Sequence, residues 1–199
     1  MKEILLKYIP KEAVYMVIPI LKKYPINIKI TKDRKTKHGD FRITANGKKQ
    51  ISVNYNLNEY QFLITLIHEI AHYITFKKYG KVKPHGKEWK HEFQHLMLPF
   101  LRPEIFPNTL LPALAKHFKN PKASTASDID LTFALKQYDK DSGKNFIFEL
   151  ENGSVFTFNN KFYKKGIKRR IRFECVELKS TKTYLFNPNT EVTLVKNYE

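Results

Sequence analysis

Two stretches of this chain, HEIAH at 68–72 and HEFQH at 91–95, fit the pattern His-Glu-x-x-His. On a helix, histidines at i and i+4 share one face, so both imidazoles can reach a single divalent ion. The glutamate between them can then act as a general base toward water. This is hydrolytic metal chemistry. A chain of 199 residues is expected to need one such site, so the two motifs must be told apart.

Helical phase, at roughly 100° per residue, separates them. Around the first motif, Gln61, Thr65, His68, His72 and Thr75 form one narrow polar stripe. Leu63, Leu66, Ile67, Ile70, Ala71 and Ile74 cover the opposite side, and Phe62, Ile64 and Tyr73 widen the apolar arc. A helix this apolar is buried around most of its circumference, and its thin polar stripe suits a metal cleft in a protein interior. Around the second motif the apolar stripe is Trp89, Phe93, Leu96 and Phe100. His91 and His95 fall nearly opposite it, beside Lys87 and Gln94, and are expected to face solvent. HEIAH is therefore read as the metal helix.

A catalytic zinc ion takes three protein ligands and leaves a position for water. The metzincin extension would need Gly at 75 and His at 78, where this chain has Thr75 and Lys78. His85, Glu88 and Glu92 all remain open as the third ligand. The helix carries the chain ~12 Å from His72 to Gly80 at 1.5 Å per residue, and the five residues 81–85 can span up to ~17 Å. A return to the metal is geometrically open, and spacing alone does not choose among the three.

The elements that must position these groups can be read around them. Residues 10–25 pattern as a helix stopped by Pro25, and 26–32, 40–45 and 49–55 as strands separated by turns at HGD and NGKK. The metal helix runs over 58–79, with Asn58 as N-cap and Gly80 as its stop. A second helix is expected from Gly86 to Phe100 and a short one near 109–118. KNPKASTASD (119–128) is polar and small-residue-rich and reads as a linker. Beyond it, 129–199 reads as short strands joined by NG, NN, KKG and PN turns. The expected organisation is a mixed helix–strand, α+β domain over 1–118, the linker, and a small all-β domain over 129–199.

The segment HEIAHYITFKKYGKVKPHGKEW (68–89) resembles the zinc-binding segment of the SprT-like metalloprotease family, which includes the Spartan DNA–protein crosslink proteases. TKHGDFR (36–42) and ISVNYNLN (51–58) resemble the strands before the active helix, so the likeness covers roughly residues 10–100. It implies a zincin-like fold and one catalytic Zn2+ ion. His68, His72 and His85 would be the ligands, the last from the family's HGxxW element, and Glu69 the catalytic carboxylate. It also implies peptide hydrolysis, with proteins bound or crosslinked to DNA as substrates. Many members end in a Cys-rich zinc ribbon. With Cys175 alone this chain cannot build one, and RRIRFECVELKSTKTYLFNP looks like such a module with the metal replaced by ordinary packing.

Charge points independently to a polyanion. The formal net charge is +17, and residues 1–127 hold 23 of the 36 basic residues but only 9 of the 19 acidic ones. Sequence-independent, salt-sensitive DNA binding is expected. The candidate phosphate contacts are Lys32, Arg34, Lys35 and Lys37 in one loop, Lys81, Lys83 and Lys87 around His85, and Arg169 and Arg170 in a basic-aromatic stretch. A tyrosine or Arg42 is considered for the oxyanion, without a choice. No membrane span and no signal peptide are read, and the single cysteine suits a reducing cytoplasm. A monomer acting on a protein substrate is expected. Two other readings stay open: a DNA-binding adaptor with a structural or vestigial metal site, and a metallopeptidase with no nucleic-acid partner.

Overall fold

The computed structural model describes residues 1–34, 36–140 and 143–195, and divides the chain into units 1–139 and 140–199. In the first unit, helices α1 (Lys2–Leu5) and α2 (Lys11–Lys23) precede strands β1 (Asn27–Thr31), β2 (Gly39–Ile43) and β3 (Lys49–Asn54). Then come α3 (Glu59–Tyr79), α4 (Lys87–Met97), α5 (Leu111–Phe118) and α6 (Ile129–Lys136). The sheet order is β1-β3-β2, with β1 parallel and β2 antiparallel to β3, so β2 is an edge.

The central strand β3 has two buried faces of opposite character. Ile51 and Val53 join the apolar core on one face. On the other, Gln50, Ser52 and Asn54 are buried polar groups that need partners. Two arginines supply them: Arg34 donates to Asn54 Oδ1 (2.8 Å) and Ser52 Oγ (3.0 Å), and Arg42 donates twice to Gln50 Oε1 (3.2 and 3.0 Å).

Helix α3 is the axis of this unit. Asn58 Oδ1 caps it by accepting the Gln61 N–H at 2.9 Å, and Gly80 stops it at φ 67°, a backbone region open to glycine. Phe62, Leu63, Ile64, Leu66, Ile67, Ile70, Ala71 and Ile74, spread round most of it, are at most 1% exposed, as its sequence demands. Helix α4 lays Trp89, Phe93 and Met97 into the same core, while His91 and His95 stay exposed. Glu92 is buried and clamps α4 to the end of α3: Lys78 Nζ donates to both its oxygens at 2.9 and 2.8 Å, and Tyr79 Oη donates at 3.1 Å.

The division between units falls later than the sequence suggests. Residues 119–128 are not a free linker but end in a 3-10 turn at Thr125–Ser127. Asp128 then caps α6, accepting the Leu131 N–H at 3.3 Å, and its other oxygen holds His117 Nδ1 at 2.9 Å. Leu131 and Leu135 of α6 are buried in the first unit's core. Asn58 Nδ2 donates to Leu135 O at 3.0 Å and to Asp139 Oδ1 at 2.6 Å. Residues 129–139 therefore belong to the α+β unit.

Among its described residues the second unit is all β apart from one 3-10 turn at Ile147–Glu149. Strands β4 (Asn145–Phe146), β5 (Val155–Phe158), β6 (Lys161–Arg169), β7 (Arg172–Glu177), β8 (Thr183–Phe186) and β9 (Glu191–Leu194) form one antiparallel sheet, ordered β4-β9-β5-β6-β7-β8. Its own core holds Ile147, Phe156, Tyr163, Phe173, Cys175, Phe186 and Val192. Phe156, Tyr163 and Phe186 meet pairwise with ring centroids 5.0–5.6 Å apart. Beneath them Lys165 is buried, its ammonium donating to Leu150 O and lying 4.2 Å from the Phe173 ring centroid. No helix among the described residues is long and apolar enough to cross a membrane.

Candidate metal centre

His68 and His72 project from the same face of α3, and His85 reaches them from the loop between α3 and α4. Their Nε2 atoms form a nearly equilateral triangle, 3.1 Å from His68 to His72, 3.0 Å from His72 to His85 and 3.2 Å from His85 to His68. All three rings are half-buried. Burial lowers their basicity: His68 falls to about 2 and His72 to about 4, the neighbouring imidazoles adding to desolvation, and His85 moves the same way through desolvation. Neutral rings present lone pairs, and three lone pairs converging on one point are an arrangement that a cation stabilises. A triangle of this size also admits an ion at about 2.0–2.1 Å from each nitrogen, the usual zinc–imidazole length. The residues fit a divalent metal.

The loop holding His85 is built for one conformation. His85 has φ 56°, a left-handed backbone uncommon for a residue with a side chain. Gly86 follows because a Cβ there would lie 2.9 Å from Lys83 O, to which the Gly86 N–H donates at 3.0 Å. Trp89, one turn into α4, touches the whole trio, with its ring 4.6 Å from His68, 5.2 Å from His72 and 4.7 Å from His85. It is the plate against which all three imidazoles are set. Its role is legible only in the HGKEW string; helical phase marks it simply as core.

Glu69 lies on α3 beside the trio and is 6% exposed. Burial pushes its carboxyl up to about 8, the Asp40 charge pushes the same way, and the Phe41 N–H bonded to it pulls back. The neighbouring edge strand makes room for it. A Cβ on Gly39 would stand 2.6 Å from Glu69 Oε1 and 2.7 Å from Thr65 Cγ2, so no other residue fits at 39 without moving the carboxylate. Gly39→Ala is accordingly expected to keep bound metal and displace the Glu69 carboxylate, and any hydrolysis that depends on that carboxylate should fall by about 10²-fold, the cost of an ångström's misplacement. It should cost about 1–3 kcal/mol in stability through overpacking. Metal content and kcat on the same sample check this; unchanged kcat overturns it.

A cleft of about 580 Å³ opens over these groups. His68, Glu69, His72 and His85 form its floor, residues 36–41 one wall, and Ala123, Ser124 and Thr125 part of the rim. No tyrosine or arginine lines it among the described residues, and Arg42 is bonded to Gln50 instead, which removes both oxyanion candidates considered from sequence. Its lining side-chain donors include Thr36, Lys37, His38, Gln61, Thr65, Ser124 and Thr125, none of which the sequence singles out for that role. Of the alternative third ligands, Glu92 is committed to Lys78 and Tyr79, and Glu88 stands 3.9 Å from Lys87 Nζ.

The basic residues considered for phosphate contact fare unequally. Lys32, Lys81, Lys83 and Lys87 are exposed in the first unit. Arg34 is spent on Ser52 and Asn54, and Lys37 pairs with Asp40 at 2.8 Å, so Arg34 in particular is a brace of the sheet. Lys35 lies outside the described residues. In the second unit Arg169 is 3.0 Å from Glu174 and still mostly exposed, and Arg170 sits exposed in a turn.

Residues 20–105 match the family model described as the SprT-like family. Among curated proteins, Protein SprT of Vibrio parahaemolyticus serotype O3:K6 is 49% identical over 45 residues, 21% of this chain and 27% of that protein. Protein SprT of Shewanella oneidensis is 43% identical over 53 residues, 26% of this chain and 30% of that protein. The matched stretches thus span about a quarter to a third of those relatives. No solved structure matches the chain.

Proposed function

We propose that this chain, whose residues 20–105 match the SprT-like family model, is a zinc-dependent endopeptidase acting on proteins bound or crosslinked to DNA. The observation that carries the reading is the triangle of imidazole nitrogens, 3.0–3.2 Å on a side, with a buried carboxylate next to it in sequence and a cleft above both. His68, His72 and His85 would hold the ion, in a zincin-like arrangement of sheet, helix and loop. When bound, zinc supplies Lewis acidity that polarises a carbonyl oxygen and makes a nearby water easier to deprotonate.

The chain's own groups do the rest. Glu69 takes the proton of the attacking water and returns it to the leaving amine, a transfer favoured by its water-poor position. The edge strand β2 lines the cleft through residues 39–41 and pairs with a strand on one side only, the Phe41 N–H turning to Glu69 on the other, and such an edge suits an extended peptide added alongside it. Trp89 and Gly39 hold the ligands and the base in register. Exposed lysines at 32, 81, 83 and 87 flank this unit's loops and supply phosphate attraction without base reading.

The test is cleavage of a DNA-binding protein by zinc-loaded chain. Fragments are expected, stopping on chelation and returning with added zinc, and increasing when DNA is present at low salt. Absence of cleavage at one zinc per chain overturns the peptidase reading. Cleavage indifferent to DNA removes the nucleic-acid partner and leaves the peptidase.

A further inference from the structure

The hairpin joining β6 to β7 breaks two local rules at once. Arg169 pairs with Arg172, so Arg170 and Ile171 make a two-residue turn. Such turns need positive φ at the first position and favour Gly, Asn or Asp there, because a Cβ crowds the backbone. Here Arg170 takes that place at φ 51°. The second turn residue is an isoleucine left 75% exposed, and Ile167, where the β6–β7 register shifts, is 60% exposed. Neither side chain contributes to the core of its unit.

Around these apolar tips lie Lys168, Arg169, Arg170 and Arg172, all exposed. Three of the chain's six arginines fall in residues 169–172, although lysines outnumber arginines five to one. Arginine's planar fork matches phosphate oxygens in pairs, which a lysine point charge does not. The turn thus gives up local stability and solubility to present a small apolar wedge among four exposed cations, of which Arg169 also meets Glu174 at 3.0 Å.

We propose that this hairpin tip is a nucleic-acid contact, in which Ile171, supported by Ile167, presses against an opened base step while the four cations hold the flanking phosphates. Apolar wedges of this kind unstack flexible steps, and the surrounding phosphate contacts offset the unstacking. A lipid surface shares the phosphate chemistry, but two isoleucines are a small apolar anchor for it. The inference rests on the nucleic-acid partner proposed above and assigns it to particular residues.

The test uses the full chain and a short DNA duplex carrying 2-aminopurine beside a central TA step, with vesicles containing phosphatidylserine as the second arm. Wild type is expected to bind the duplex and raise the 2-aminopurine fluorescence. Ile171→Ser, which keeps every charge, should lose that rise and bind several-fold more weakly with the salt slope unchanged. The double variant Arg170→Asn, Ile171→Gly installs a preferred turn, so its unfolding temperature should hold or rise. Its DNA affinity should fall about tenfold and its salt slope by about 1. Variants that match wild type in affinity and fluorescence overturn the tip assignment and leave the DNA partner standing. A wild-type chain that binds no duplex at low salt removes that partner too. Vesicle binding lost in Ile171→Ser while duplex binding is retained overturns the proposal in favour of a membrane.

Discussion

Glu69→Gln will retain one zinc per chain and lose peptide hydrolysis by about 10²–10⁴-fold, the contribution of a positioned general base. The substitution keeps the shape of a side chain that is 6% exposed and hemmed by Gly39 and Thr65, so the fold has no reason to change. The amide oxygen can still accept the Phe41 N–H that the carboxylate accepts. What is lost is the ability to take a proton. The matched control is Glu92→Gln in the other motif. Glu92 holds Lys78 and Tyr79, away from the cleft, so that variant should lose stability and keep its kcat. Full activity in Glu69→Gln, measured with metal content on the same preparation, would sink the assignment of the base.

Removing the third imidazole is expected to have an effect of the same order, visible without any substrate. Wild type should be stabilised by zinc, by about 2.7 kcal/mol at a hundredfold excess over Kd. His85→Gly should show almost none of that shift, because two imidazoles on α3 leave the triangle open. Glycine is chosen over alanine for a physical reason. His85 sits at φ 56°, where a Cβ costs about 1–2 kcal/mol and glycine costs nothing. Relief of that strain offsets the lost contact with Trp89, so the ion-free variant should stay within about 1 kcal/mol of wild type. Thermal unfolding with and without zinc reads both numbers. An undiminished zinc shift in His85→Gly removes His85 from the ligand set.

Much of the first unit was legible because it depends on neighbours in sequence. The cap at Asn58, the stop at Gly80 and the strands at 27–31 and 49–54 follow from local patterns that the fold repeats with small changes at the ends. The second unit was legible as strands from its turn dipeptides. Residues 119–139 were not. Residues 119–128 are polar while 129–139 are not, and only contact with the core shows that Leu131 and Leu135 anchor a helix capped by Asp128. Gly39 was visible as part of a turn signal, but its reason, the carboxylate 2.6 Å from where a Cβ would stand, exists only once β2 lies against α3.

What the amino-acid string determined by itself is which His-Glu-x-x-His faces inward. A period of 3.6 residues puts His68 and His72 on the one polar stripe of an apolar helix and His91 and His95 opposite the apolar stripe of another. That is a property of each helix alone. What only the tertiary structure decided is what each candidate partner is spent on. Glu92 has the spacing of a ligand and Arg34 the chemistry of a phosphate contact, yet one is consumed by Lys78 and Tyr79 and the other by Ser52 and Asn54. A buried polar group must be satisfied by whatever the fold brings to it, and those partners are 13 to 20 residues away in sequence.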